Sequence, residues 1–184
     1  ILFIEDEKEA GKFHPRICAT ETQMFKNLSE EEQSAYVELY NHFFYQRHNE
    51  LWKNSGYKKL PELLSASNML TCAEDLGMIP ACVPWVMKNL QVLSLEIQRM
   101  PKLYGETFAN PARYPYLSVA TPSTHDMSTL RGWWREDEAM SQQFYNCMLG
   151  FDGKAPLEMD GRVAHAILLQ HLASPSAFAL FAWQ

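Results

Sequence analysis

Asn68-Met69-Leu70-Thr71-Cys72-Ala73-Glu74-Asp75-Leu76-Gly77 is the stretch that decides the fold. Its first part reads as a short buried strand, and the strand stops at adjacent acids followed by a glycine. A helix opens near Pro80, with Val83, Val86, Met87 and Leu90 on one face. Pro84 is tolerated there because it lies in the first turn, where its missing N–H costs nothing. Gln91-Val92-Leu93-Ser94-Leu95-Glu96-Ile97 alternates as a second strand. A turn-rich loop from Pro101 to Pro115 leads into a third, Tyr116-Leu117-Ser118-Val119-Ala120-Thr121, which runs into Ser123-Thr124-His125-Asp126. Helices are expected near Met127–Trp134, Asp137–Met148 and Glu158–Leu172. Ser174-Pro175-Ser176 then turns the chain into a last apolar strand that reaches Trp183. Strands alternating with helices predict an α/β fold with a parallel sheet.

Upstream of the deciding stretch the pattern is helical. Ser29-Glu30-Glu31-Glu32 is a capping box, in which the serine oxygen takes an orphan amide and Glu32 reaches back. Tyr36, Leu39, Tyr40, Phe43, Phe44, Leu51 and Trp52 recur behind it at helical spacing as far as Asn54-Ser55-Gly56, and a shorter helix follows over 57–66. The first 28 residues are polar and loop-rich, although Ile1-Leu2-Phe3-Ile4 has the character of packed structure. Residues 1–184 therefore read as a single partial domain, loop-rich over 1–28, with helices and strands over 29–184.

Composition narrows the function. The chain is 47% hydrophobic and 21% charged, a globular balance. Its net charge of −6 argues against nucleic-acid binding, which needs a basic patch to displace counterions. The longest apolar run, Ala177–Trp183, is far short of the roughly 20 residues of a membrane helix. There is no signal-peptide pattern, and the four cysteines, Cys18, Cys72, Cys82 and Cys147, are widely spaced without C-x-x-C. Reduced thiols in the cytoplasm are the expectation. The chain starts at Ile1 rather than methionine and stops inside an apolar strand, the pattern of a piece of a longer protein.

The acids at strand ends are the candidate chemistry. Glu74-Asp75 and His125-Asp126 follow different strands, and parallel strands of α/β barrels keep their reactive groups at their C-terminal ends. A pair of carboxyls suits glycosidic bonds: one, kept protonated by its surroundings, protonates the leaving oxygen, while carboxylates stabilise the oxocarbenium-like transition state. The same acids could equally cap the helices that follow. Other chemistries are poorly supplied. His42 and His48, like His165 and His171, lack the i, i+4 spacing that aims two imidazoles at one metal. No glycine-rich phosphate loop is present, and Ser118 and Ser123 have no nucleophile-elbow context. Trp133-Trp134 and Tyr114/Tyr116 could stack on sugar faces or serve as core.

On these residues the chain resembles a known family. Cys72-Ala73-Glu74-Asp75-Leu76-Gly77-Met78-Ile79-Pro80 is similar to the acid/base segment of the 4-alpha-glucanotransferases (amylomaltase, or disproportionating enzyme), relatives of the alpha-amylases. Leu93–Met100, Tyr114–Val119 and Ser123-Thr124-His125-Asp126-Met127-Ser128-Thr129-Leu130-Arg131-Gly132-Trp133-Trp134 continue the match in order. The resemblance is specific over 70–134 and weaker before Leu60. It is strongest to the bacterial and plant branch with a long insertion before the acid/base strand.

The resemblance implies the C-terminal half of a (β/α)8 TIM barrel of the alpha-amylase type. It implies a transferase that moves segments of alpha-1,4-glucan, starch and maltodextrin, to an acceptor glucan with retention, by double displacement and with no cofactor or metal. Glu74 would be the general acid/base, Asp126 the carboxylate that stabilises the transition state through the hydroxyls of the transferred sugar, and His125 a hydrogen-bond donor to that sugar. The family's nucleophile, in an Arg-x-Asp-His segment, has no counterpart in this sequence, so the chain alone is expected to be inactive. A truncated barrel would expose strand edges and self-associate. Two other readings remain: an alpha-glucan hydrolase with water as acceptor, and a non-catalytic glucan-binding module.

Overall fold

The computed structural model describes residues 1–77 and 79–182. They form two compact units, the first of residues 1–66 and 80–86, the second of the other described residues.

In the first unit, the segment expected to be loop contains a small hairpin. Strand β1 (Phe3–Glu5) pairs antiparallel with β2 (Phe13–Pro15). Each strand is three residues long, too short for alternation to show in the sequence, and the hairpin is held from outside. Tyr36 donates its hydroxyl to the Leu2 carbonyl at 2.7 Å, and its ring meets Phe3 and Phe25 edge-on. A short helix α1 (Gln23–Lys26) precedes α2 (Glu30–Asn41). Both halves of the capping box at Ser29 and Glu32 are present. The helix then widens into a π-helical turn (His42–Arg47) and runs on as α3 (His48–Ser65). The break expected at Gly56 does not occur. Gly56 is there for close approach: a Cβ added to it would lie 3.3 Å from Val86 Cγ1.

The second unit carries the sheet. Helix α4 (Val83–Asn89) leads to β3 (Ser94–Ile97), β4 (Ser118–Thr121) and β5 (Phe178–Ala179), in the spatial order β3-β4-β5 and parallel throughout. Ser94 is level with Ser118, and Val119 with Phe178. The middle strand β4 is buried along its whole length. On the far side of β3, Thr71–Ala73 adds a further parallel rung: Leu93 N–H donates to the Thr71 carbonyl and Ala73 N–H to the Leu93 carbonyl. The strand expected over Asn68–Ala73 is thus shorter than the sequence suggested and is not buried, Met69 being 79% exposed. The last strand pairs over Phe178–Ala179, with Leu180 N–H donating to the Ala120 carbonyl, and its expected end at Trp183 lies outside the described residues.

Helices α5 (Leu130–Glu136), α6 (Glu138–Gln143) with a π-helical extension (Phe144–Met148), and α7 (Gly161–Leu172) complete the unit. Their contact is an apolar cluster of Phe108, Trp134, Phe144, Tyr145, Met159, Val163 and Ile167. Phe108 and Phe144 meet edge-to-face at 4.9 Å, a favourable quadrupole arrangement. The buried Trp134 satisfies its indole N–H on the Pro156 carbonyl. Trp133-Trp134 is therefore at least half a core device. Among the described residues no helix is long and apolar enough to cross a membrane.

One titratable group is sealed between α7 and the sheet. His171 is 1% exposed, its Nδ1 lies 2.8 Å from the Ile167 carbonyl, and Nε2 makes no hydrogen bond of normal geometry. Burial holds its pKa below the ordinary imidazole value, against the opposing pull of the Ile167 and Thr121 carbonyls. The unfolded chain therefore takes up a proton near pH 6.5 that the folded chain refuses. Stability should be complete above that pH and fall as the pH drops below it, by at most about 1.4 kcal/mol per pH unit. Urea unfolding of the protein carrying this chain, compared between pH 5.5 and 7.5, checks this, and His171→Gln should flatten the slope.

Candidate active site

Because Thr71–Ala73, β3, β4 and β5 are all parallel, their C-terminal ends leave the sheet at one edge. Glu74 follows the first of these segments directly, and His125 and Asp126 sit in the loop that follows β4, so β3 stands between the two acidic sites. The side chains are open to solvent: Glu74 is exposed, and His125 and Asp126 are 85% and 70% exposed, with His125 Nε2 3.3 Å from Asp126 Oδ2.

The capping alternative is answered by the helix starts. Helix α5 is capped by Thr129, whose hydroxyl accepts the Gly132 N–H, and Asp126 takes no part. Helix α4 starts only at Val83, well past Glu74. Among the described residues, neither acid holds a helix end. Asp75 is different in kind. It is 5% exposed, its Oδ1 accepts the Leu95 N–H at 3.0 Å, and its Oδ2 pairs with Lys102 Nζ at 2.7 Å. Its work is structural, as its place next to an outward-pointing Glu74 on an extended segment requires.

Two cations behind these groups were not singled out from sequence. Lys102 bridges Asp75 and Glu96, the latter also accepting from Ser94 Oγ. Arg99 is inserted under the loop after β4: Nε donates to the Pro122 carbonyl, Nη2 to Ser123 Oγ and to the Ser128 carbonyl, and the guanidinium lies 5.0 Å from the centre of the Trp133 ring. The only sequence signal for either is a cation placed directly behind a strand end. Tyr114 is buried too, and its phenol pKa is raised, by desolvation first and by the charge of Glu96 second.

No group of three His, Cys, Asp or Glu among the described residues could hold a metal ion. The four cysteines are free, and burial raises the Cys72 thiol pKa. An open cavity of about 970 Å³ is lined wholly by residues of the first unit, including Phe25, Val37 and His42, and contains none of the strand-end acids.

The family model described as 4-alpha-glucanotransferase matches residues 19–184. The 4-alpha-glucanotransferase DPE2 of Oryza sativa subsp. japonica is 41% identical over 184 residues, all of this chain and 20% of that protein. A 4-alpha-glucanotransferase of Chlamydia trachomatis is 38% identical over 91 residues, 48% of this chain and 17% of its own length. The chain thus spans about a fifth of the length of these relatives. Among solved structures, the amylomaltase from Streptococcus agalactiae in complex with acarbose aligns with a TM-score of 0.51 over 99% of this chain and 29% of its own, at 14% identity. At that identity the likeness is one of fold.

The Asp75 network yields a test of the site's support. Asp75→Ala removes the acceptor of the Leu95 N–H and leaves Lys102 with half its charge partners, and it should cost about 2–3 kcal/mol of stability. Asp75→Asn keeps an oxygen for Leu95 and should cost less. Denaturant titration of the two variants side by side gives the order, and equal losses would deny the amide bond its role.

Proposed function

The chain belongs to the 4-alpha-glucanotransferase family, and on that footing we propose that it supplies the acid/base and the transition-state carboxylate of a retaining transfer between alpha-1,4-glucans. Glu74 protonates the glycosidic oxygen as the bond to the leaving glucan breaks. After the leaving glucan departs, Glu74, now a carboxylate, takes the proton of the incoming acceptor hydroxyl. Asp126 accepts hydrogen bonds from the hydroxyls of the sugar held in the site as its ring gains positive character, and His125 donates to the same sugar. The covalent intermediate needs a carboxylate nucleophile, which we assign to a segment outside these 184 residues.

The observation that carries this reading is the freedom of Glu74 and Asp126 from any capping duty. Each stands beyond the C-terminal end of a parallel strand, and the supporting acid, Asp75, is the one that is buried and paired. An amylomaltase that shares this fold was solved with acarbose bound, in keeping with an oligosaccharide substrate for this chain as well.

In the same reading the parallel segments are half of a (β/α)8 barrel, and both units belong to one catalytic domain. Among the described residues the outer sides of Thr71–Ala73 and of β5 pair with no further strand, and Leu70, Phe178 and Leu180 are exposed beside them, which supports this. Apolar side chains beside an unpaired strand edge call for a covering partner. Taken alone, the chain would pair with a copy of itself or with the complementary half. We place the protein in the cytoplasm, in line with its free thiols.

Glu74→Gln in the full-length protein should lower disproportionation of maltotriose by about 10²–10⁴-fold while maltotriose binding survives, because the amide keeps the shape but cannot carry the proton. Turnover near that of the parent would remove Glu74 from the acid/base role. Release of glucose with longer oligosaccharides, rather than glucose and maltose alone, distinguishes transfer from hydrolysis.

A further inference from the structure

Between the strand that ends at Glu74 and the strand that leads to Asp126 lies the turn that leaves β3, Gln98 to Lys102, and every polar side chain of its ends reaches outward to a neighbour. Lys102 reaches back to Asp75, the residue next to Glu74, at 2.7 Å. Arg99 reaches forward to Pro122, Ser123 and Ser128, which bracket His125 and Asp126 on both sides, at 2.8–3.1 Å. The turn itself is anchored from below. Gln98 is 1% exposed, its amide donates to Gln170 on α7, and its carbonyl accepts the Ala109 N–H. Met100 N–H closes the turn on the Ile97 carbonyl.

We propose that the turn Gln98–Lys102 is a two-sided clamp that sets the separation between Glu74 and Asp126, with Arg99 and Lys102 as its positioning residues. This rests on the roles assigned to Glu74 and Asp126 above. Neither cation needs to touch the glucan. Arg99 fixes the backbone on either side of His125 and Asp126, and Lys102 holds the carboxylate of Asp75, the residue next to Glu74; transfer requires both exposed carboxylates at set distances from one sugar ring. The residue types suit the two tasks. A loop presents several acceptors in different directions, which the planar fork of Arg99 meets with three donors while it stacks on Trp133. Two carboxylates converging on one point are met by the compact ammonium of Lys102. A lysine in place of Arg99 would supply the charge but not the fork.

The test is a set of variants of the full-length protein: Arg99→Lys, Lys102→Met, their combination, and Ser123→Ala, with Glu74→Gln and Asp126→Asn as references. Maltotriose disproportionation gives kcat and KM, and thermal unfolding gives Tm. Misplacement of a carboxylate is felt in the transition state more than in binding, so Arg99→Lys and Lys102→Met should each lower kcat about 10- to 100-fold with KM changed less than about threefold. Both act on one separation, so the double variant should lose less than the product of the single losses. Ser123→Ala removes one clamp bond without burying a charge and should cost about threefold in kcat with an unchanged Tm, which keeps the test decisive if a charge variant does not fold. Arg99→Lys and Ser123→Ala turning over within about twofold of the parent, while Glu74→Gln and Asp126→Asn fall at least about 100-fold, would overturn the clamp and leave the functional reading intact. A double loss equal to the product would overturn its two-sidedness. Parental turnover by Glu74→Gln and Asp126→Asn would overturn the reading beneath it.

Discussion

A parallel strand cannot be reached by a tight turn, and this constraint organises the second unit. Each of β3, β4 and β5 is entered at the same end, so the chain must travel back outside the sheet before every new strand. Those return paths contain the helices and nearly all of the apolar cluster around Trp134 and Phe144. The exits from the strands, by contrast, all fall at one end of the sheet and lie outside the apolar cluster. Residues there are free to be polar, and Glu74, Arg99, Ser123, His125 and Asp126 all occupy such exits. On the proposed reading, the return paths supply the packing and the strand exits the chemistry.

The division shows in the burial of the charged groups. Asp75 is enclosed and doubly bonded, whereas its neighbour Glu74 is exposed. A carboxylate that is enclosed must be paired, because desolvation otherwise costs several kcal/mol, and a paired carboxylate is not available to a substrate. On the proposed reading, Glu74 and Asp126 are the acids left unburied for a substrate, and Asp75 is the one given to structure. A general acid still needs an environment that keeps its proton, and within the proposed reaction the bound glucan supplies it by displacing water from the site.

Legibility in the sequence followed the range of the forces involved. The capping box at Ser29-Glu32 was readable because both partners lie within one turn of helix. Alternation of helix and strand was readable because burial imposes a period, and the parallel sheet followed from it. The hairpin of β1 and β2 was not, since its anchor, Tyr36, comes from a distant helix. Gly56 was read as a stop, although its role is close approach to Val86, a contact no local pattern reveals. At the candidate site, Glu74, His125 and Asp126 are named by a resemblance in sequence, because spacing alone does not separate catalysis from capping. The structure removed the capping option by placing Thr129, not Asp126, at the start of α5. Arg99 and Lys102 were invisible because their meaning lies in partners beyond the ends of neighbouring strands, 23 to 29 residues from Arg99 and, at Asp75, 27 residues from Lys102.

Lys102 also explains how an acidic chain carries several acids near one end of the sheet. The net charge is −6, and Asp75, Glu96 and Glu74 occur within two adjacent parallel segments. Like charges on neighbouring strands repel, and in a partly desolvated setting that repulsion is weakly screened. Lys102 neutralises the inner pair and leaves the outer acid, Glu74, to solvent. Arg99 does not neutralise an acid at all in its direct bonds; it spends its donors on carbonyls and a hydroxyl. One cation thus answers an electrostatic problem and the other a geometric one. Exchanging their side chains would leave net charge untouched while failing both tasks, and geometry rather than charge is what distinguishes the positions.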